Sequence, residues 1–275
     1  MRKFLYLEIE MPTDPVIEPA ELAAIGAYRF LDVRESAAFS TAHASGAVHV
    51  PVDAWEAAAK ADETSLDNVA YWEAAIAALG VDNGTLTVVY DDGRMTEAAR
   101  VWFILQHFGA TAAILNGGWP ALAESKVPSS IMESTSPLDR FRARAGSGSV
   151  GMVDRANMRT ELGSSTRILD ARSNAEFDGE DLRRNARGGH LPGARLLSHT
   201  SLLDGSRLRP AEELRGLFAD AGFGPGDHVV THCDGGGRAA LAAVAAVRAG
   251  YTDVRAYYLS FADWARDESC PIVRD

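Results

Sequence analysis

The chain has 275 residues, a length that predicts two domains at roughly 150 residues each. Apolar residues form 47% of the chain and charged residues 24%, which is typical of globular proteins and excludes a disordered or fibrous chain. The 27 Lys and Arg against 38 Asp and Glu give a net charge of -11, which disfavours a general nucleic-acid binder because phosphate backbones require clustered positive charge.

The first ten residues look like a signal peptide only briefly, because Glu8 and Glu10 interrupt the apolar segment too early. No apolar run in the sequence approaches the roughly 20 residues that span a bilayer. The two cysteines cannot form a disulfide framework, and no ligands accompany them at the spacing of a metal site. We therefore expect a cytoplasmic protein that contacts neither membrane nor nucleic acid and holds no metal.

The first half of the chain alternates short apolar runs with an alanine-containing amphipathic stretch. Residues 28–31, 86–90 and 112–115 are predicted strands, and residues 97–108 are a predicted helix. Strands that alternate with helices indicate a parallel sheet covered on both faces. The predicted fold class is therefore α/β.

A segment rich in Ser, Gly and Pro follows at residues 124–151. Such a composition is typical of a connection between domains. The segment is too long for a simple loop, so we expect part of it to lie along one domain. The predicted organisation is a domain at 1–125, a linker at 126–150 and a second domain at 151–275.

The second half repeats motifs of the first half in the same order. The four pairs are Asp32-Val33-Arg34 with Asp170-Ala171-Arg172, His43 with His190, Leu79-Gly80 with Ala221-Gly222, and Asn116-Gly117-Gly118-Trp119 with Tyr258-Leu259-Ser260-Phe261. The step from Asp to His is 11 residues in the first copy and 20 in the second, which indicates a nine-residue insertion. Four echoes in one order indicate a duplicated domain.

The two copies differ at the end of one strand, where the first has Asp91 and the second has Cys233. Each of these residues stands 11 positions after the echoed glycine, Gly80 or Gly222. In open α/β sheets, ligands bind at the carboxyl ends of the strands. This difference predicts that chemistry belongs to the second copy.

Residues 233–238, here named the Cys233 loop, read Cys-Asp-Gly-Gly-Gly-Arg and precede a predicted helix at 238–249. Three glycines permit a turn in which backbone N–H groups converge, and a helix N-terminus adds partial positive charge. Both features favour an anion, so Cys233 is predicted to be the reactive thiolate. The competing interpretation is a small buried hydrophobe, which we assign to Cys270 because it has no such surroundings.

These motifs make the chain similar to the tandem-domain rhodanese family of thiosulfate and 3-mercaptopyruvate sulfurtransferases. The resemblance runs from about residue 14 to residue 268. It rests on Asp-x-Arg followed by His190-Leu191-Pro192-Gly193-Ala194, on the Cys233 loop and on Gly117-Gly118-Trp119. It implies two rhodanese-like domains, of which the second is catalytic and the first, with Asp91, is silent.

The resemblance also implies an activity. Cys233 would take the outer sulfur of a small donor such as thiosulfate, and cyanide or a thiol would then accept that sulfur from the persulfide. No cofactor is implied. Substrate contacts are predicted for Arg238, which either binds the anionic donor or supports the loop, for Arg187 and for four loop positions: Asp234, Gly235, Gly236 and Gly237.

The sequence also suggests roles for other residues near these motifs. Arg183 and Arg184 either make the cleft basic or are solvated surface charges. Asp170 and Arg172 are expected to form a buried charge pair, and His190 is expected to anchor a loop.

Three alternative functions remain at this point. The first is 3-mercaptopyruvate sulfurtransfer, and the second is a non-catalytic binding or regulatory module. The third, phosphatase or arsenate reductase chemistry, is disfavoured because Arg238 is the fifth residue after Cys233, where the phosphatase loop has the sixth. Asp234 argues against a dianionic donor by repulsion, yet a small sulfane-sulfur donor remains the preferred substrate.

Overall fold

The first half of the chain forms a five-stranded parallel sheet flanked by helices. The structure, a computed structural model, describes residues 14–125, 127–130 and 141–274. Strands β1 to β7 are Val16–Ile17, Tyr28–Asp32, His43–Ala44, Val48–His49, Leu86–Tyr90, Ala112–Leu115 and Ser129–Ser130. Helices α1 to α5 are Ser36–Thr41, Val52–Lys60, Val69–Ala78, Thr96–His107 and Gly118–Ala123. The sheet order is β1-β6-β5-β2-β4, and β3 pairs with β7 in a separate antiparallel ribbon.

The second half forms a sheet of the same topology. Strands β8 to β14 are Gly151–Met152, Arg167–Asp170, Ala194–Leu196, Leu203–Asp204, Arg207–Leu208, Val229–His232 and Val254–Ala256. Helices α6 to α10 are Arg155–Glu161, Asn174–Phe177, Ala211–Asp220, Gly237–Ala249 and Ser260–Arg266. The sheet order β8-β14-β13-β9-β10 matches that of the first half strand for strand. The predicted α/β class and the duplication of parallel, helix-flanked sheets are thereby confirmed.

The sequence patterns located the central elements well. The predicted strands at 86–90 and 112–115 coincide with β5 and β6, and the helices predicted at 97–108 and 238–249 differ from α4 and α9 by one residue. All five residues of β5 are buried, because helices cover both faces of the parallel sheet. A continuous apolar run is the pattern that such a strand requires.

The two halves meet along α4 and α9. Both helices are buried over most of their length, and their side chains belong to one continuous apolar core. Next to this contact, the ring of Phe103 stacks on that of Tyr258 with 5.4 Å between centroids. The carboxyl ends of both central strands, β5 and β13, precede these two helices, so both loops that differ between the copies lie near the domain boundary.

The described part of the connection packs on the first half. Phe141 and Val150 are fully buried. The backbone N–H of Val150 donates to the side chain of Gln106 on α4, and the backbone carbonyl of Val150 accepts from it. This agrees with the expectation that part of the connection lies along one domain. Among the described residues, no helix has both the length and the apolar character that crossing a membrane requires.

Candidate active site

Cys233 lies at the carboxyl end of β13, the central strand of the second sheet. The strand pairs with β9 on one side and β14 on the other, and all four of its residues are buried. Only 1% of Cys233 is exposed, yet it lines a cavity of about 590 Å³ between the two halves. The thiol is thus shielded from bulk solvent and open to a small molecule.

The Cys233 loop turns sharply at its glycines. Gly236 has φ of +105°, and a Cβ at this position would lie 2.8 Å from the carbonyl oxygen of Tyr258. The conformation and the close approach both require glycine. The turn directs the Gly236 amide to Cys233 Sγ at 3.1 Å, and α9 begins at the next residue. An amide donor and a helix N-terminus therefore both favour negative charge at this sulfur.

Ser260, which was not among the residues predicted for the site, also contacts Cys233. Its Oγ accepts a hydrogen bond from the Cys233 amide at 3.1 Å and lies 3.7 Å from Sγ. The same hydroxyl donates to the Tyr257 carbonyl at 2.8 Å. The signal in the sequence was the fourth echo, where Ser260 replaces Gly118 of the first copy.

Arg238 lines the cavity and forms a bidentate ion pair. Its two terminal nitrogens donate to Glu176 at 2.6 and 2.8 Å, and Glu176 also accepts from Ser173 at the start of α7. Burial alone would raise the pKa of Glu176, but hydrogen bonds from Arg238 and Ser173 outweigh it and lower the pKa to about 2. The pair joins α7 to α9, so loop support by Arg238 has a direct structural basis, and donor binding by Arg238 stays a prediction.

Arg187 does not line the Cys233 cavity. Its guanidinium donates four hydrogen bonds to the last carbonyl groups of α10 and to the segment that follows. The acceptors are the carbonyl oxygens of Trp264, Ala265, Asp267 and Cys270. In place of the expected contact with substrate, the structure gives Arg187 a capping role at the end of α10, where the last carbonyl groups of a helix run short of amide donors.

Other side chains of the longer second-copy loop do reach the site. Arg183 lines the cavity, and more than half of its side chain is exposed. The Asp234 carboxylate accepts a hydrogen bond from the Asn185 side chain at 2.7 Å. The insertion therefore determines both where Asp234 points and which arginine stands at the mouth of the cavity.

The first half contributes Arg100 to the back of the Cys233 loop. This α4 side chain is 93% buried and donates to the Gly235 carbonyl at 2.8 Å. Its charge is balanced by Glu97 at 2.7 Å and Glu56 at 3.2 Å. A loop of the second domain is thus held by an ion-paired arginine of the first, a contact that no pattern in the sequence indicated.

Asp91 occupies the equivalent strand end in the first half. One carboxylate oxygen accepts the amides of Gly93 and Met95 at 2.8 and 3.1 Å, and the other accepts that of Ala98 at 3.3 Å. Burial raises the pKa of Asp91 to about 6, against the lowering effect of these amides. The amides of this loop still converge on one point, but the Asp91 carboxylate accepts their hydrogen bonds.

The loop-forming residues of the second copy behave as expected. Arg172 pairs with buried Asp170 at 2.6 Å and donates to the Gly189 carbonyl at 2.8 Å. The ring of His190 stacks on Phe177 with 3.7 Å between centroids and bonds its carbonyl through Nδ1. The predicted charge pair and the predicted anchor are confirmed.

Comparison with known proteins gives both halves the same assignment. The family description "Rhodanese-like domain" matches residues 18–125 and 154–267. A thiosulfate sulfurtransferase of Azotobacter vinelandii is 30% identical over 271 residues, covering 94% of this chain and 96% of that protein. The mitochondrial thiosulfate/3-mercaptopyruvate sulfurtransferase 1 of Arabidopsis thaliana is 30% identical over 240 residues, which are 76% of this chain.

The alignment spans 63% of the Arabidopsis protein, so that relative is considerably longer than the matched region. Among solved structures, the anaerobic ergothioneine biosynthesis enzyme of Chlorobium limicola superposes with a TM-score of 0.82 at 18% identity. That match covers 96% of this chain and 71% of the other. At this identity, the likeness concerns the fold.

Proposed function

Because this chain belongs to the rhodanese family and has two rhodanese-like domains in tandem, we propose that it is a sulfurtransferase that carries sulfur on Cys233. One observation carries the proposal: a cysteine sulfur accepts the Gly236 amide at 3.1 Å inside a small cavity at a strand end. The names of the relatives from Azotobacter and Arabidopsis support the same class of reaction.

In the first step, the Cys233 thiolate attacks the outer sulfur of thiosulfate. A new S–S bond forms, the S–S bond of thiosulfate breaks, and its electron pair leaves on sulfite. The product is an anionic Cys233 persulfide, and the total charge is unchanged. The Gly236 amide and the N-terminus of α9 supply the local dipoles that stabilise this anion.

In the second step, an acceptor removes the outer sulfur. Cyanide attacks it, the persulfide S–S bond breaks, and the electron pair returns to Cys233 as thiocyanate leaves. A thiolate acceptor reacts in the same way and leaves as its own persulfide. Because donor and acceptor use the enzyme in turn, the kinetics are expected to be ping-pong.

The donor is a small anion with a transferable sulfur, for which we place thiosulfate first. The cavity is lined by Asp234, Gly235, Gly237, Arg238 and Arg183. We propose that these residues and Gly236 contact the sulfur donor. The Arabidopsis relative's name contains both donors, so 3-mercaptopyruvate is the second candidate. Comparing kcat/KM for the two donors ranks them.

We assign catalysis to the second domain, residues 151–275, and none to the first, residues 1–125, with 126–150 as linker. The carboxylate of Asp91 supports this assignment, because it takes the amides that a reactive sulfur would need. A cytoplasmic location also belongs to the proposal. It agrees with two cysteines that are both free thiols.

The test compares wild type with Cys233→Ser in thiocyanate formation from thiosulfate and cyanide. We expect the variant to lose at least about a hundredfold in kcat, because a hydroxyl cannot carry sulfane sulfur. Cys270→Ser is the matched control, since this fully buried thiol lies outside the cavity. Thiosulfate treatment should add about 32 daltons, one sulfur atom, to wild type and to Cys270→Ser but not to Cys233→Ser.

Equal turnover by wild type and Cys233→Ser would remove Cys233 as the nucleophile. No turnover by either protein, with no added mass on Cys233 from any of several donors, would instead favour the non-catalytic binding module. Correct folding of each variant is checked by its thermal unfolding midpoint.

A further inference from the structure

A second cavity lies beside the Cys233 loop and has its own set of basic residues. Its volume is about 610 Å³, within the range of small-molecule sites. It shares Glu56, Arg183, Asp234 and Gly235 with the Cys233 cavity. The two spaces are therefore neighbours on either side of the loop residues that follow the nucleophile.

Positive charge dominates this second cavity. Lys60, Arg183, Arg184 and Arg266 line it, against Glu56 and Asp234. Glu56 is paired with Lys60 and Arg100, and Asp234 accepts from Asn185. The ion pairs of the described residues that lie nearby join Arg183 to Glu176 and Arg155 to Asp267, and none of the described residues forms an ion pair with Arg184 or Arg266. In a chain of net charge -11, two uncompensated arginines beside the nucleophile form a local attraction for anions.

The position of these arginines restricts what the anion can be. Arg184 and Arg266 line the second cavity but not the first, whereas Cys233 lines the first but not the second. A ligand that uses both must reach around Asp234 and Gly235, with its sulfur at one end and its charge at the other. Thiosulfate and cyanide are too short to reach from Cys233 to these arginines, because in both molecules the charge lies on the reacting group itself.

We propose that the second cavity binds the carboxylates of a low-molecular-weight thiol that accepts sulfur from Cys233. This inference rests on the proposed sulfurtransferase function and names its acceptor class as an anionic peptide thiol. The acceptor thiolate attacks the outer persulfide sulfur, a new S–S bond forms and the old one breaks. The electron pair returns to Cys233, and the acceptor's thiol proton has already passed to solvent, so no oxidant is needed.

The test uses the double variant Arg184→Ala/Arg266→Ala with thiosulfate as donor. Glutathione serves as the anionic acceptor and 2-mercaptoethanol as the uncharged one. We expect the KM for glutathione to rise about tenfold, with the KM for 2-mercaptoethanol and the turnover of cyanide unchanged. The control Arg195→Ala/Arg215→Ala removes two exposed arginines that line neither cavity, and it should leave all three acceptors unaffected.

Ionic strength provides a second test in the wild type. Screening by salt should raise the KM for glutathione and leave that for 2-mercaptoethanol unchanged. If the double variant leaves the KM for glutathione unchanged, or raises it equally for both thiols, the second cavity is not the carboxylate site.

A binding measurement separates this inference from the proposed function. S-methylglutathione cannot accept sulfur, but it carries the same carboxylates, and its heat of binding is measurable whether or not the enzyme turns over. We expect wild type and the control to bind it and the double variant to bind at least about tenfold more weakly. Lack of binding by wild type overturns the inference, whereas binding without any thiocyanate formation overturns only the proposed function.

Discussion

The backbone of Ser260 adopts φ of +61°, in the left-handed region that a residue with a side chain rarely occupies. The residue contacts both the amide and the sulfur of Cys233. Its counterpart Gly118 has φ of +56°, and a Cβ there would lie 2.5 Å from the Asp91 carbonyl oxygen. The second domain thus keeps a hydroxyl at a strained position where the first has only space for glycine. Backbone strain beside the cysteine that we propose as the nucleophile supports a functional role for Ser260, which the following variants test.

Two substitutions distinguish the effect of the Ser260 hydroxyl from the effect of the Ser260 backbone conformation. Ser260→Ala and Ser260→Gly both remove a donor and acceptor from Cys233, so each should slow single-turnover release of sulfite about tenfold. Only Ser260→Gly relieves the left-handed backbone, which costs other residues roughly 1 kcal/mol. Ser260→Gly should therefore be the more stable variant in denaturant unfolding. Sulfite release at the wild-type rate in both variants would show that the hydroxyl takes no part in sulfur transfer.

At the scale of elements, the Cys233 loop is held between two helices. The Glu176–Arg238 pair joins the short α7 to the first turn of α9, with only 3% of the Glu176 side chain exposed. In α7, Glu176 also completes a capping box with Ser173. A single carboxylate therefore supports a helix start and the last residue of the Cys233 loop.

This pair predicts a pH dependence of stability. Folding lowers the pKa of Glu176 from its ordinary 4.5 to about 2, so the carboxylate stabilises the fold above about pH 4.5 and loses this effect as pH falls toward 2. Glu176→Gln should lower the free energy of unfolding by about 2 kcal/mol at pH 7, and the difference should shrink to near zero at pH 2. Urea unfolding across this range measures it. The exposed Glu180→Gln is the control, and a pH-independent difference would contradict the assignment.

At the scale of the whole molecule, the first domain supports the Cys233 loop of the second domain. Arg100 crosses the boundary between α4 and the Gly235 carbonyl, with Glu56 and Glu97 fixing its guanidinium. Gly237 lies equally close to the first domain, since a Cβ there would be 3.0 Å from the Thr96 carbonyl oxygen. The first domain therefore holds the loop of the second domain that carries Cys233, the proposed nucleophile.

Arg100→Ala should leave the Gly235 carbonyl without its donor and the loop less well ordered. We expect kcat to fall about tenfold with a smaller change in the KM for thiosulfate, and Arg100→Lys to restore part of the loss. Arg215→Ala is the control, because that arginine is more than half exposed and lines neither cavity. Equal losses of kcat in Arg100→Ala and Arg215→Ala would remove the positioning role.

Much of this organisation was predictable from local patterns. The strands, the long helices, the duplication and the Asp170–Arg172 pair follow from apolar periodicity and short motifs, whose partners lie close in sequence or repeat at corresponding positions. Cys233 was predictable for the same reason, because the strand, the glycines and the helix that surround it are contiguous.

Contacts between distant segments were not predictable in this way. Ser260 stands 27 positions from Cys233, and Arg100 stands 135 positions from Gly235. The charged end of Arg187 was expected at the substrate and instead caps α10. Sequence patterns therefore predicted the fold, which the structure confirms, and the proposed nucleophile Cys233, since both depend on contiguous residues. The other contacts of Cys233 and its loop depend on how the strand ends, the inserted loop and the domain boundary meet in space. A long polar side chain forms hydrogen bonds with groups that only the folded structure brings within its reach.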